Sequence, residues 1–180
     1  MDLHPIIVHI PIAFLAIYAG LEILTFVPKL KNSSTFFSIK AFLLTVGFGA
    51  TLIALASGEN AEHLNREFIN KALVETHSTY AALTSWIFGL LFVIYTTMIV
   101  SIHAEAKMYV SKISSGLANH MQKVGDFFKT YYTLAILLAV IGLALVSITG
   151  ALGGALVYGT DAKDPFIVFT VDHICGADCK

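Results

Sequence analysis

The chain has 180 residues, of which 57% are hydrophobic and only 13% are charged, and its formal net charge at pH 7 is −1. About a quarter of the residues in a typical soluble domain are charged, so this composition excludes an ordinary soluble fold. The near-zero net charge, with no basic cluster interleaved with aromatic residues, excludes nucleic acid as a partner.

Four apolar stretches are each long enough to cross a lipid bilayer. About 20 helical residues, at about 1.5 Å each, span a hydrocarbon core of ~30 Å. The stretches cover residues 5–27, 36–56, 78–102 and 131–158. The sequence therefore predicts an all-α, integral membrane four-helix bundle. We expect the transmembrane domain to cover residues 1–159, with an outward-facing C-terminal tail over residues 160–180.

Within the first span, two residues are unusual for an apolar helix. Pro11 has no N–H to donate to the Ile7 carbonyl, so it predicts a kink just after His9. Glu22 lies near the other end of this span, where we expect it to pair with a lysine or to extend to the membrane surface. A role for Glu22 in a proton path is the alternative interpretation.

Two connecting segments have the pattern of short helices lying on the membrane surface. In residues 59–75, Leu64 and Phe68 follow helical spacing among charged residues, which is typical of an amphipathic helix. Residues 104–130 predict a second interfacial helix on the opposite side of the membrane.

The distribution of basic residues predicts the orientation in the membrane. The first and third loops are rich in lysine, whereas the second loop and the tail carry more acidic than basic residues. The lysines of the first and third loops are Lys29, Lys31, Lys40, Lys107, Lys112, Lys123 and Lys129. The positive-inside rule places these loops in the cytoplasm, so both termini are predicted to lie outside.

This topology brings histidines of two helices to a similar depth. The first and third helices both begin at the outer side, which places His9 and His77 near one membrane face. Ionisable residues within membrane spans are usually functional. Two histidines can fill both axial positions of a haem iron inside a helix bundle. The sequence therefore predicts haem b bound by His9 and His77. His4 is the alternative ligand or a partner of a haem propionate.

The end of the fourth helix is rich in glycine, which allows close approach of another helix or of a flat cofactor. These glycines are Gly150, Gly153 and Gly154. Trp86 is a candidate for the wall of the same pocket, although packing in the core or at the membrane interface is the favoured explanation for it. Copper or zinc is the alternative to haem, since imidazole suits both metals. The candidate metal ligands are His4, His9, His63 and His77.

The chain ends in a short segment that contains both of its cysteines. Cys175 and Cys179 have the spacing Cys-x3-Cys, which differs from the Cys-x-x-Cys-His of c-type haem attachment. In an oxidising outer compartment, a disulfide between them is the first expectation. A transient redox pair, or a metal site with His173, remains open.

Four motifs resemble a bacterial family described as predicted membrane proteins of unknown function. They are "HPIIVHIPIAF", "SGENAEH", the "ETH" that ends at His77, and "GALGGALVYG". Family members begin with His-Pro-x-x-Val-His-Phe-Pro-Ile-Ala, and here Ile10 stands where phenylalanine is usual. The resemblance covers residues 4–159, and it matches His4 and His9 to the opening pair of histidines. It implies a multi-pass protein of the bacterial inner membrane, in some relatives fused to a Rieske-type or cytochrome c module.

The predicted function is a membrane b-type cytochrome or a haem-bearing subunit of a respiratory complex. Its expected partners are redox subunits such as cytochrome c or Rieske-type proteins. No nucleophile–base pair or phosphate-binding loop stands out, so the chain is not expected to be an enzyme by itself. One alternative is a cofactor-free membrane anchor or assembly subunit. The other is a copper-handling protein that uses His4, His9, His77 and the cysteine tail.

Overall fold

The structure is a computed structural model that describes residues 4–65, 70–160 and 163–179, without the side chains of residues 63–65 and 178. Within these ranges the chain is helical and contains no strand. Four of its helical segments are long and apolar enough to cross a membrane: His4–Phe26, Ser34–Glu62, Lys71–Ile102 and Tyr132–Tyr158. The prediction of an all-α membrane helical bundle is confirmed.

The α-helices follow one another with short connections. They are α1 (His4–Ile7), α2 (His9–Ile23), α3 (Pro28–Lys31), α4 (Ser34–Asn65), α5 (Lys71–Ile102), α6 (Ala104–Ile113), α7 (Ser115–Thr130), α8 (Tyr132–Tyr158) and α9 (Pro165–Thr170). Helical turns of other types cover Leu24–Phe26, Val171–Cys175 and Ala177–Cys179. The four spans are α1 with α2, then α4, α5 and α8.

The first span is interrupted at Val8, between α1 and α2. Pro11 has no N–H, so the Ile7 carbonyl loses its usual partner in the helix. Hydrogen bonds from Val8 N to His4 O (3.1 Å) and from Ile12 N to Val8 O (3.3 Å) continue on both sides. The interruption therefore lies one residue before His9, where the sequence predicted a kink just after it.

The centre of the bundle is a close-packed apolar core. Its fully buried side chains include Leu15, Leu44, Phe88 and Leu91. Small residues let the helices approach at this level, as Gly47 shows: a Cβ there would lie 2.6 Å from Leu15 Cδ2. Association of helices in lipid depends on such packing rather than on a hydrophobic driving force.

The segment 59–75 does not form a separate surface helix in the described residues. Helix α4 continues without interruption to Asn65, and α5 begins at Lys71. The Asn70 side chain caps α5 by accepting hydrogen bonds from the amides of Ala72 (3.0 Å) and Leu73 (3.3 Å). The prediction of an independent helix was therefore wrong, because its two ends extend the neighbouring spans. Phe68 lies outside the described residues.

Residues 104–130 form two helices, α6 and α7, where the sequence predicted one. They separate at Ser114, whose hydroxyl accepts a hydrogen bond from Leu117 N at 3.3 Å and so caps α7. Helix α7 packs against the end of α5, where a Cβ at Gly125 would collide with the Thr97 carbonyl oxygen. The Ser101 hydroxyl also donates to Asp126 of α7 at 2.6 Å.

Consecutive spans run in opposite directions, so the bundle has two distinct ends. One end, which we call the histidine end, is defined by His4, Ser57, His77 and Thr149. The C-terminal tail returns to it, since Val171 and Cys179 are buried in a cluster with residues of α5 and α8. Both described termini of the chain thus lie at the histidine end.

The opposite end, which we call the glutamate end, is defined by Glu22, Lys40 and Tyr95. Lys40 Nζ lies 3.0 Å from Glu22 Oε2, so the expectation that Glu22 pairs with a lysine is confirmed. Lys40 itself was counted as a loop residue in predicting the orientation. That count was wrong, because Lys40 lies inside α4 and is only 4% exposed.

Candidate functional site

His77 lies in the second turn of α5 and is held against the backbone of α8. Its Nδ1 lies 3.1 Å from the carbonyl oxygen of Thr149. A carbonyl can only accept, so Nδ1 carries the proton and Nε2 carries the lone pair. A Cβ at Gly153 would lie 3.1 Å from His77 Cε1, which shows how closely the ring approaches α8. The neighbouring helix therefore determines both the tautomer and the position of the ring.

His4 is the first residue of α1, and its ring is held against the last turns of α4, as the His77 ring is held against α8. Its Nδ1 lies 2.8 Å from Ser57 Oγ, and the Ser57 hydroxyl donates to the Ala54 carbonyl at 2.9 Å. Because that proton is already engaged, Ser57 Oγ accepts from His4 Nδ1, and Nε2 again carries the lone pair. A Cβ at Gly58 would lie 3.2 Å from His4 Cε1.

The two histidines are therefore built alike. Each lies near the start of one span, donates from Nδ1 to the last turns of the neighbouring span, and has a glycine beside Cε1. Both residues are half-buried. The histidine end thus presents two imidazoles in the tautomer whose Nε2 can bind a metal.

His9 is placed differently from the other two. It is exposed, and its Nδ1 donates to the Pro5 carbonyl of its own span at 2.6 Å. This local hydrogen bond accounts for a polar ring in an apolar segment. The predicted ligation of haem by His9 and His77 stays a prediction. In the structure it is His4, and not His9, whose hydrogen bond to a neighbouring span resembles that of His77.

The glycines of α8 face three different neighbours. A Cβ at Gly153 would meet His77, one at Gly154 would lie 2.9 Å from Ile167 Cδ1, and one at Gly150 would lie 3.8 Å from Ile12 Cδ1. Gly153 is therefore the glycine of this set that adjoins a histidine. Trp86, a candidate for the wall of the same pocket, is 78% exposed and lies on the outer surface of the bundle.

A conventional metal site would need more ligands than this pair. In the part of the chain that the structure describes, no group of three or more His, Cys, Asp or Glu residues could hold a metal ion. The side chain of His63, a member of the copper or zinc alternative, lies outside the described residues. That alternative stays a prediction.

The C-terminal tail covers the start of α5 next to His77. Cys175 and Cys179 form a disulfide with a Cα–Cα distance of 5.8 Å, and Cys179 is 1% exposed. Cys175 Sγ lies 3.3 Å from Oγ1 of Thr76, the residue before His77. His173 is exposed, and its ring stacks on Phe169 at 4.3 Å.

Sequence reasoning missed Ser57 and Thr149, the two residues that orient the histidines. Each is a hydroxyl residue directly before a glycine in the last turns of a span. The sequence feature that could have indicated them is a serine or threonine followed directly by glycine, which both share. Neither could be paired with its histidine beforehand, because the partners lie 53 and 72 positions apart.

Four apolar spans, a half-buried pair of histidines and a buried ion pair at the other end define a polytopic membrane protein. The family model described as "Predicted membrane protein (DUF2231)" matches residues 1–163. The chain belongs to this family, which confirms the resemblance. No curated protein and no solved structure matches the chain.

Proposed function

We propose that the protein is a membrane b-type cytochrome that binds one haem b through His77 and His4 at the histidine end. The observation that carries this proposal is the matched pair of tautomers, in which both Nδ1 atoms donate to the protein. Histidines that ligate metals usually donate their other ring nitrogen in this way, because the hydrogen bond fixes the ring and raises its basicity.

The number of ligands favours haem over copper or zinc. A bis-histidine haem would take two ligands from the protein, whereas zinc sites use three or four protein ligands. Within the described ranges, the histidine end offers a pair and no larger group. If bound, haem would supply one-electron chemistry, and His4 and His77 would be the residues that hold it. The residues of this chain hold and orient the group.

Glycines and residues of all four spans surround the two rings. Gly58 and Gly153 adjoin the rings and have no side chain to obstruct a flat cofactor. Ser57 and Thr149 belong to α4 and α8, so all four spans contribute to the site. Residues on rigid helices hold a ligand set more accurately than residues on loops.

The proposal places the histidine end outside the bacterial inner membrane. Without Lys40, the first loop still carries Lys29 and Lys31 and no acidic residue, so the positive-inside rule retains its direction. The disulfide of the tail accords with an oxidising compartment at the same end. Electrons would then pass to or from an external redox subunit of the cytochrome c or Rieske type.

The test is a reduced-minus-oxidised absorption spectrum of the full chain, purified in detergent from cells replete with haem. We expect a b-type spectrum in the wild type and its loss in both His77→Ala and His4→Ala. His103→Ala is the matched control, because His103 is an exposed histidine after α5 at the other end of the bundle.

His9→Ala distinguishes the two possible ligand pairs. Retention of the spectrum supports His4 with His77, whereas its loss together with retention in His4→Ala supports His9 with His77. A colourless wild-type protein would refute the cytochrome proposal and leave a cofactor-free anchor or assembly subunit.

A further inference from the structure

The glutamate end contains a buried ion pair. Glu22 of α2 is 2% exposed and Lys40 of α4 is 4% exposed, and their charged atoms lie 3.0 Å apart. Lys40 Nζ also donates to Thr25 Oγ1 at 2.8 Å. Removing two charges from water is costly, and an apolar pair of similar volume often serves stability equally well. Stability alone therefore does not explain why the chain has this buried ion pair.

Two tyrosines extend the site towards the centre of the bundle. The Tyr95 hydroxyl of α5 donates to Glu22 Oε2. Tyr18 lies one helical turn before Glu22, and its ring meets Tyr95 edge to face with centroids 5.6 Å apart. The Tyr18 hydroxyl is fully buried and, as far as the structure describes the chain, makes no hydrogen bond. Buried hydroxyls are nearly always hydrogen-bonded, so this arrangement calls for an explanation.

The groups that face Glu22 come from three elements. Thr25 and Tyr18 belong to its own span, Lys40 to α4 and Tyr95 to α5. Apolar rings enclose them, since Phe37 stacks on Tyr95 at 5.3 Å and Phe88 meets Tyr18 at 6.3 Å. Tyr132 of α8 lies at the same end, and Lys31 Nζ lies 3.6 Å from the centroid of its ring.

We propose that Glu22, Lys40, Tyr95 and Tyr18 form a buried proton-binding site, in which the Glu22 carboxylate takes up one proton from the aqueous phase at the glutamate end. A new O–H bond forms on Glu22, and the site gains one positive charge. The Tyr95 oxygen then accepts from Glu22, and its own hydrogen turns to the Tyr18 oxygen. Lys40 keeps its hydrogen bond to Thr25 and loses its countercharge, a cost that proton uptake has to overcome.

This exchange explains the arrangement of both tyrosines. In the ionised state Tyr95 donates to Glu22, and the Tyr18 hydroxyl completes no hydrogen bond within the described ranges. In the protonated state the three oxygens form one continuous chain, so the Tyr18 hydroxyl gains a partner. Thr25, which is itself buried, lies in the turn Leu24–Phe26 that ends the span. The proposal does not depend on haem.

The experiment is an infrared difference spectrum of the full chain in lipid nanodiscs between neutral and acidic pH, with glutamate labelled by ¹³C. We expect acidification to produce the carbonyl band of a buried protonated carboxylic acid in the wild type. The band should be lost in Glu22→Gln. It should persist in the matched control Glu105→Gln, because Glu105 is an exposed glutamate of α6.

Tyr95→Phe and Tyr18→Phe keep the rings and test the network even if Glu22→Gln fails to fold. Both should shift the carbonyl band, because each removes one hydrogen bond from the chain of oxygens. A band that is unchanged in Glu22→Gln, or absent from the wild type, would overturn the proposal and leave a permanent structural ion pair. If neither tyrosine variant shifts the band, the tyrosines do not hydrogen-bond to the protonated Glu22 as proposed.

Discussion

The His4 imidazole lies 2.8 Å from the Ser57 hydroxyl and so joins the start of the first span to the end of the second. Ser57→Ala removes this acceptor while leaving the helix intact. The net value of one such bond is about 0.5–1.5 kcal/mol, so we expect a loss of that size in the free energy of unfolding. Thermal unfolding of the purified protein measures it.

Thr45→Ala is the control for this variant, because the exposed Thr45 hydroxyl donates to Ala41 O of its own helix. Under the cytochrome proposal, Ser57→Ala should also alter the absorption spectrum, whereas Thr45→Ala should not. Equal effects of the two variants would contradict the orienting role of Ser57.

Gly153 should not tolerate a larger residue. Gly153→Leu places a branched side chain against the His77 ring, which the hydrogen bond to Thr149 prevents from moving away. Overpacking of this kind costs about 1–3 kcal/mol, measured by thermal unfolding. Gly20→Leu is the control, since a Cβ at Gly20 has nothing within 4 Å. Normal stability of Gly153→Leu would show that this face is not closely packed.

The ion pair at the glutamate end should respond more strongly to the loss of one partner than to the loss of both. Lys40→Met leaves Glu22 buried without its countercharge, which costs about 3–5 kcal/mol. The double variant Glu22→Leu/Lys40→Met should recover most of this loss, because no buried charge remains. Denaturant unfolding of the four proteins in a cycle gives the coupling energy. An additive result would mean that the two residues are independent.

Asp126 should confer a pH dependence on the contact between α5 and α7. The hydrogen bond from Lys129 at 2.7 Å, and then that from Ser101 at 2.6 Å, hold the pKa of the Asp126 carboxyl below its usual value. A lowered folded-state pKa gives stability above the unfolded-state pKa, and this stability is lost as the pH falls through the folded-state pKa. Melting temperatures of the wild type and Asp126→Asn should therefore differ slightly at neutral pH and converge in acid. A constant difference would contradict this origin.

The predicted orientation can be tested by cysteine labelling in intact cells, with Cys175 and Cys179 replaced by serine. Single cysteines at positions 31 and 112 should be shielded from an impermeant reagent added outside, because both positions belong to the lysine-rich loops. A cysteine at the exposed position 163 should be labelled. The opposite pattern would place the histidine end in the cytoplasm.

The sequence by itself determined the four membrane spans. Length and apolarity are properties of a continuous stretch, and they decide whether that stretch can cross a bilayer whatever surrounds it. The same holds for the break near Pro11, because a missing N–H disrupts a helix locally. The pairing of Glu22 with a lysine also followed from local reasoning, since a buried charge needs a countercharge.

Only the tertiary structure decided which side chains meet. His4 and His9 are five positions apart, so in a regular helix of 3.6 residues per turn they would point about 140° apart around the axis. The sequence indicated only that both histidines lie at a similar depth in the membrane. How the first span is rotated about its axis decided that His4 contacts Ser57 and that His9 is exposed. Lys40 was assigned to a loop for a similar reason. A lysine can continue into a membrane span when a partner such as Glu22 lies on the facing helix, and that depends on how the two helices pack.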